Sequence, residues 1–205
     1  MFFDNFIIFE PSLINQKLNM KSTLNILKVF CTLLVISVGV KLFEIFYKIV
    51  HYTVYGGSKM EIFKLTIPEN WSDEYYYFLS LIALVLMGYV MFLLVEFRKV
   101  IFNFSKDSVF TKENSDRLGK VGKGLIIYGI IVLCFTTVLG LIIEGGSTLS
   151  SSSDPAYSSG YIFGYTVGAS INKVLPIFVI ALFVQFISFI VGKGNVLKEE
   201  NDLTI

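Results

Sequence analysis

Four apolar runs dominate this chain, and they leave it few folds to choose from. They occupy residues 26–46, 76–95, 124–143 and 174–191. The hydrocarbon core of a bilayer takes roughly 20 mostly apolar residues in helix, and each run is close to that length. Backbone N–H and C=O groups find no water in hydrocarbon, so each run must close its own hydrogen bonds as a continuous helix. Composition agrees: 54% of the residues are hydrophobic, 16% are charged and 20 are Phe, whereas a soluble domain carries about 25% charge. The expected fold is an all-α integral membrane protein with four transmembrane helices in a bundle. It forms one domain over residues 20–205, preceded by an N-terminal extension at 1–19.

That extension is set apart because "MKSTLNILKVF", from Met20, reads like a natural bacterial start. Upstream, Phe2, Phe3, Phe6, Ile7 and Ile8 fit either an added segment or a short interfacial helix. Span one follows lysines as a signal peptide does. Its apolar run is too long, however, and no small-residue cleavage site follows, so it stays as an anchor.

Orientation follows from Lys and Arg in the short links. The link between spans two and three holds Arg98, Lys99, Lys106, Lys112, Arg117, Lys120 and Lys123. The link between spans three and four holds only Lys173. The first is therefore expected in the cytoplasm and the second outside, with both termini inside a bacterial cytoplasmic membrane. Lys59 and Lys64 in the first external link, against Glu61, Glu69, Asp73 and Glu74, cast a weak contrary vote.

In that external link, two β-prone runs at 52–55 and 60–67 flank Gly56-Gly57, which predicts a small β-hairpin. Ser72 before Asp73 and Glu74 reads as a helix start. Trp71, Tyr75, Tyr76 and Tyr77 read as an aromatic belt. In the Ser/Gly-rich second link, Gly160, Gly164 and Gly168 share one face if helical and would permit close packing. Pro176 would kink or start the last span.

Chemistry-bearing residues are sparse. Lys41, Glu44 and Lys48 share a helix face near the outer end of span one, where they can pair with one another and snorkel to the interface. An ion pathway through them is the less favoured reading. Gln185 and Ser188 in span four fit an interhelical hydrogen bond. Cys31 and Cys134 lie in apolar runs and read as buried free thiols. The single His51 has no partner at metal-ligand spacing. Metalloprotease, nucleophile-elbow and Walker patterns are missing. No catalytic, metal or cofactor site is therefore expected, and the protein is not expected to be an enzyme. A net charge of +1 provides no basic field for binding nucleic acid directly.

Between spans two and three, Phe97, Val100, Ile101 and Phe104 continue one apolar helix face beyond the membrane. Thr111 is placed to cap the next helix, with Asn114 where a full capping box has Glu or Gln. Glu113–Arg117 and Asp116–Lys120 are four apart in the favourable order. The result is a helical hairpin protruding from the inner face. The acidic tail, with Glu199, Glu200 and Asp202, is expected to dock near its basic residues, burying Leu197 and Leu203.

Two stretches carry a resemblance. "SVFTKENSDRLGKVG" contains Phe110, Thr111, Asn114, Arg117 and Leu118 in the pattern Phe-Thr-x-x-Asn-x-x-Arg-Leu. "GKGNVLKEENDLTI" supplies Gly194, Leu197, Glu200, Asp202, Leu203 and Thr204. Together, on a four-span frame, they resemble domain-of-unknown-function family 2975 over 21–205. The resemblance implies no activity. Members are often encoded beside a small helix-turn-helix regulator, which implies a cytoplasmic DNA-binding partner. The leading expectation is thus a non-enzymatic sensor, regulator or scaffold that presents the hairpin and tail to a partner. The alternative is a small-solute or ion transporter or channel, as a homo-oligomer because four spans with few polar faces make a poor pore alone.

Overall fold

The structure, a computed structural model, describes residues 10–63, 65–106, 109–148 and 155–203, with side chains placed for 22–63, 65–106, 109–143 and 159–203. It contains α1 (Glu10–Tyr55), α2 (Asp73–Phe104), α3 (Lys112–Thr148) and α4 (Pro155–Asp202). Each contains a stretch long and apolar enough to cross a membrane. Residues 10–19 of the expected extension belong to the same helix as span one; Phe2 to Ile8 lie outside the described residues.

Neighbours follow chain order: α1 packs on α2, α2 on α3, and α3 most extensively on α4. Among the described residues α1 closely approaches no other helix. Its apolar side chains are accordingly turned outward, with Val29, Phe30, Leu33, Val40 and Phe43 all more than half exposed. In a bilayer such faces meet hydrocarbon, so their exposure costs nothing that burial would recover.

Three apolar clusters run along the remaining helices. Near the first link, Ile62, Ile67, Tyr76, Leu79, Ala83 and Leu139 are buried together. Mid-way lie Leu86, Val132 and Val174. Towards the α2–α3 turn lie Val100, Leu118, Val121, Val184 and Val191. The α3–α4 seam is made by small residues. A Cβ on Gly140 would meet Thr166 at 2.6 Å, one on Gly129 would meet Phe178 at 3.1 Å, and one on Gly122 would meet Gln185 at 2.7 Å. The contacts descend α3 as they climb α4, which is the register of an antiparallel pair. Ser115 Oγ donates to Ser188 O at 3.0 Å and Ser188 Oγ returns to Ser115 O at 2.8 Å. Gln185 Nε2 reaches Gly119 O at 3.5 Å, so the interhelical role expected for this pair is met chiefly by Ser188.

Several local expectations are corrected. No β-strand forms among the described residues. Residues 52–55 remain helical, and Gly56 and Gly57, with φ of 69° and 118°, end α1 instead of turning a hairpin. Gly56 N–H donates to Tyr52 O at 3.0 Å, the left-handed C-terminal cap that glycine allows without a Cβ clash. The helix persists because Tyr52 packs on Tyr76 in a tilted contact, with ring centroids 4.5 Å apart, and donates to Asp73 Oδ1 at 2.7 Å. What remains of the hairpin is one isolated bridge between Ile62 and Leu65. Tyr76 is fully buried in that packing and leaves the aromatic belt to Trp71, Tyr75 and Tyr77.

Among the described residues nothing stands within 4 Å of where a Cβ would lie on Gly160, Gly164 or Gly168, so the glycines form no seam with them. Ile162, Thr166 and Ser170 are buried in their place. Two positions along a helix is a rotation of about 200°, which puts the glycines on the far side. α4 runs unbroken through Pro176. Cys31 is buried, whereas Cys134 is exposed; the second thiol faces outward instead of sitting in the core.

Candidate functional site at the helical hairpin

The turn between α2 and α3 gathers the largest set of sequence-predicted residues. Thr111 Oγ1 accepts the backbone N–H of Asn114 at 3.2 Å, which satisfies one of the donors a helix start leaves open. Asn114, with no exposed surface, accepts from Asn103 Nδ2 at 2.9 Å and donates to Val109 O at 3.2 Å. One side chain thereby joins the end of α2, the turn and the start of α3. A Glu at this position would close a capping box but could not donate to Val109. That is why an amide stands here.

One helical turn further on, Arg117 reaches back to α2. Its Nη1 donates to Glu96 Oε2 at 2.5 Å, and its Nε and Nη2 donate to Glu113 Oε1 at 3.0 and 2.8 Å. Lys99 holds the other Glu96 oxygen at 2.5 Å. Glu96 is almost buried, with 12% of its side chain exposed, and Arg117 shows 26%. Such a pair resists breakage, because removing one partner strands a poorly hydrated charge. The Glu113–Arg117 pair forms as expected; Asp116 and Lys120 form no ion pair among the described residues.

Leu118 is 2% exposed within the cluster nearest the turn. Phe110 lies against α4, where a Cβ on Gly194 would stand 2.6 Å from its Cε1. Asn114 and Leu118 are buried and Thr111 and Arg117 half-buried, each closing the hairpin by a different interaction, while Phe110 stays 45% exposed and touches α4. Glu96 and Asn103 complete the site and belong to α2, outside the motif. Glu96 could have been found as a lone acid on the inner side of an apolar face; Asn103 left no sequence signal.

The tail departs from expectation. α4 continues to Asp202, beyond the contact of Gly194 with Phe110, and Leu197 and Leu203 are 66% and 86% exposed. Docking is achieved upstream, where Gly192 meets Ser115 and Gly194 meets Phe110. Nothing breaks the helix after Gly194, and Asn195 Nδ2 supports it by donating to Glu199 Oε1 at 2.8 Å. Folding back would need a turn, and none is encoded. Glu200 and Asp202 therefore lie on the projecting helix, and Thr204 lies outside the described residues.

The residues that close this hairpin belong to a sequence model that matches 27–205, the greater part of the chain. The chain belongs to the family of proteins of unknown function DUF2975. Within that match, the hairpin stretch is thus largely internal, while the C-terminal stretch projects. No curated protein and no solved structure matches the chain.

The second predicted group stays together. Glu44 accepts from Lys41 Nζ at 2.7 Å and from Lys48 Nζ at 2.8 Å. These side chains line an open cleft of about 960 Å³ with Tyr52, Glu61 and Tyr76 under the first link. All three are at least one-third exposed, and both Glu44 oxygens are engaged by their own helix. The group is a surface ion-pair triad on the edge helix.

Proposed function

We propose that this DUF2975 member is a non-enzymatic membrane-bound regulator or scaffold that captures a soluble partner on the projecting end of α4. The observation that carries the proposal is the exposure of Leu197 and Leu203 on the stretch of α4 that also holds Glu199 and Asp202. Leucines outside the lipid-spanning stretch gain nothing by meeting water. A helix with leucines and acids exposed suits a partner that offers an apolar groove with a basic rim.

The Lys and Arg excess of the hairpin favours placing it, with both termini, on the cytoplasmic side of the bacterial inner membrane. The resemblance to proteins encoded beside a small helix-turn-helix regulator makes such a regulator the partner class to test. The channel alternative draws no support from Lys41, Glu44 and Lys48, which are paired with one another on an edge helix.

The test is affinity purification of the full chain from its own membranes in mild detergent. Recovery of a helix-turn-helix protein that is lost in a Leu197→Ser, Leu203→Ser variant supports the proposal. Recovery indifferent to those substitutions, or no DNA-binding protein at all, overturns it.

A further inference from the structure

A basic group gathers where α1 meets α2 at the hairpin end, beside the Glu96–Arg117 site. Lys28 Nζ of α1 sits 5.3 Å from the centre of the Phe102 ring, and Arg98 Cζ of α2 sits 5.0 Å from the same centre. Two cations from two helices thus share one aromatic ring. The ring's negative face compensates each only in part, and the two charges repel. The neighbouring carboxylate that could neutralise them is Glu96, and its two oxygens are already held by Lys99 and Arg117. Among the described residues neither Lys28 nor Arg98 has an ion pair.

Arg98 Nε is also buried and without a hydrogen-bond partner. A shielded guanidinium donor left open is expensive unless an acceptor arrives from elsewhere. Beside it is a concavity of about 320 Å³ lined by Val95, Arg98, Lys99, Phe102 and Asn103. The missing component is an anion with several acceptor oxygens, which the planar guanidinium fork matches.

The surroundings narrow the anion further. Lys28 falls inside the apolar run of span one, and Arg98 stands just beyond that of span two, so the pocket sits at the edge of the hydrocarbon. Val29 of α1 and Phe92 of α2 present exposed apolar surface beside it. A soluble phosphate would satisfy the charges and leave these faces unused. A phosphodiester carrying acyl chains uses both.

We propose that Lys28, Arg98 and Phe102 form a headgroup site for an anionic glycerophospholipid, whose phosphate accepts from Arg98 and whose chains lie on the outer faces of α1 and α2. The lipid supplies the anion the cation pair lacks and fastens the edge helix α1 to α2.

Lipid binding is measured on the full chain in detergent by native mass spectrometry, with phosphatidylglycerol, phosphatidylcholine, glycerol 3-phosphate and inorganic phosphate as probes. The intact protein should retain phosphatidylglycerol at concentrations on the order of tenfold below those needed for phosphatidylcholine. The Lys28→Gln, Arg98→Gln pair should erase that preference. Lys41→Gln with Lys48→Gln, which removes the same charge at the opposite end, should leave it intact. The single Lys28→Gln change, at a half-buried position, provides a folded intermediate with a smaller loss. The proposal fails if the two lipids bind alike, if the preference survives Lys28→Gln and the double substitution, or if the distant pair abolishes it equally. Binding of glycerol 3-phosphate or inorganic phosphate as tightly as the lipid would also overturn it, by making the site one for soluble phosphate.

Discussion

Replacing Gly122 by Ala should destabilise the protein, whereas the same change at Gly164 should not. A methyl on Gly122 would stand 2.7 Å from Gln185 Cγ, 3.1 Å from Gln185 Cδ and 3.1 Å from Gln185 backbone N. Comfortable carbon contacts lie near 3.5–4.0 Å, so the α3–α4 spacing must open by roughly half an ångström. The side chain of Gln185 can swing aside, but its backbone nitrogen moves only with α4. Overpacking of this kind costs about 1–3 kcal/mol. Alanine recovers roughly 0.5–1 kcal/mol of helix propensity. The net expectation is a loss of about 0–2.5 kcal/mol, whose midpoint is close to a tenfold shift in the unfolding equilibrium. At Gly164 nothing lies within 4 Å, so only the propensity gain of about 0.5–1 kcal/mol remains. Thermal unfolding of both variants in one detergent, followed by helical circular dichroism, compares them directly. Equal midpoints, or a lower one for Gly164→Ala, would refute the assignment of the seam to the Gly122 face.

Two further predictions concern the hairpin. Asn114→Ala takes the Asn114 amide from Asn103 and the Val109 carbonyl and should cost about 1–3 kcal/mol; adding Asn103→Ala should cost less than the sum of the singles, and strict additivity in the melts would contradict the shared bond. Arg117→Gln should lower stability by about 1–3 kcal/mol by depriving nearly buried Glu96 of a cation. Lys99→Gln, at a half-exposed lysine, should cost below about 1 kcal/mol. Chemical or thermal unfolding that ranks these two in reverse order would show that Lys99, and not Arg117, anchors Glu96.

The helices were legible because bilayer thickness imposes a length that composition either meets or does not. The Thr111 cap was legible for a related reason: it is a local interaction, complete within four residues. What could not be read depends on how distant faces turn towards one another. Asn114 finds Asn103 across the turn, eleven residues back, and Arg117 finds Glu96 at a separation of 21. No periodicity announces either. The glycines at 160, 164 and 168 display a clean spacing, yet spacing says only that they share a face, not that a partner covers it. At Gly56-Gly57 the sequence signal was correct about positive φ and wrong about its use. A hairpin turn and a helix cap both need that conformation, and the packing of Tyr52 on Tyr76 decided between them.

The hairpin stretch and the C-terminal stretch differ in what they can do. A recognition surface must present its residues, but Asn114 and Leu118 are 0% and 2% exposed, and Thr111 and Arg117 spend their polar atoms on the hairpin itself. The first motif is therefore a set of instructions for joining α2 to α3 and seating α4 beside them through Phe110. The second motif begins at Gly194, where that seat ends, and its leucines emerge into open space. A rigid joint followed immediately by an exposed apolar and acidic helix is an arrangement that fixes the direction of the tail. A partner captured on Leu197 and Leu203, as proposed, would meet them at an angle set by Ser115, Gly192 and Phe110. Loosening that joint, for example with Phe110→Ala, should weaken partner capture without touching the captured surface.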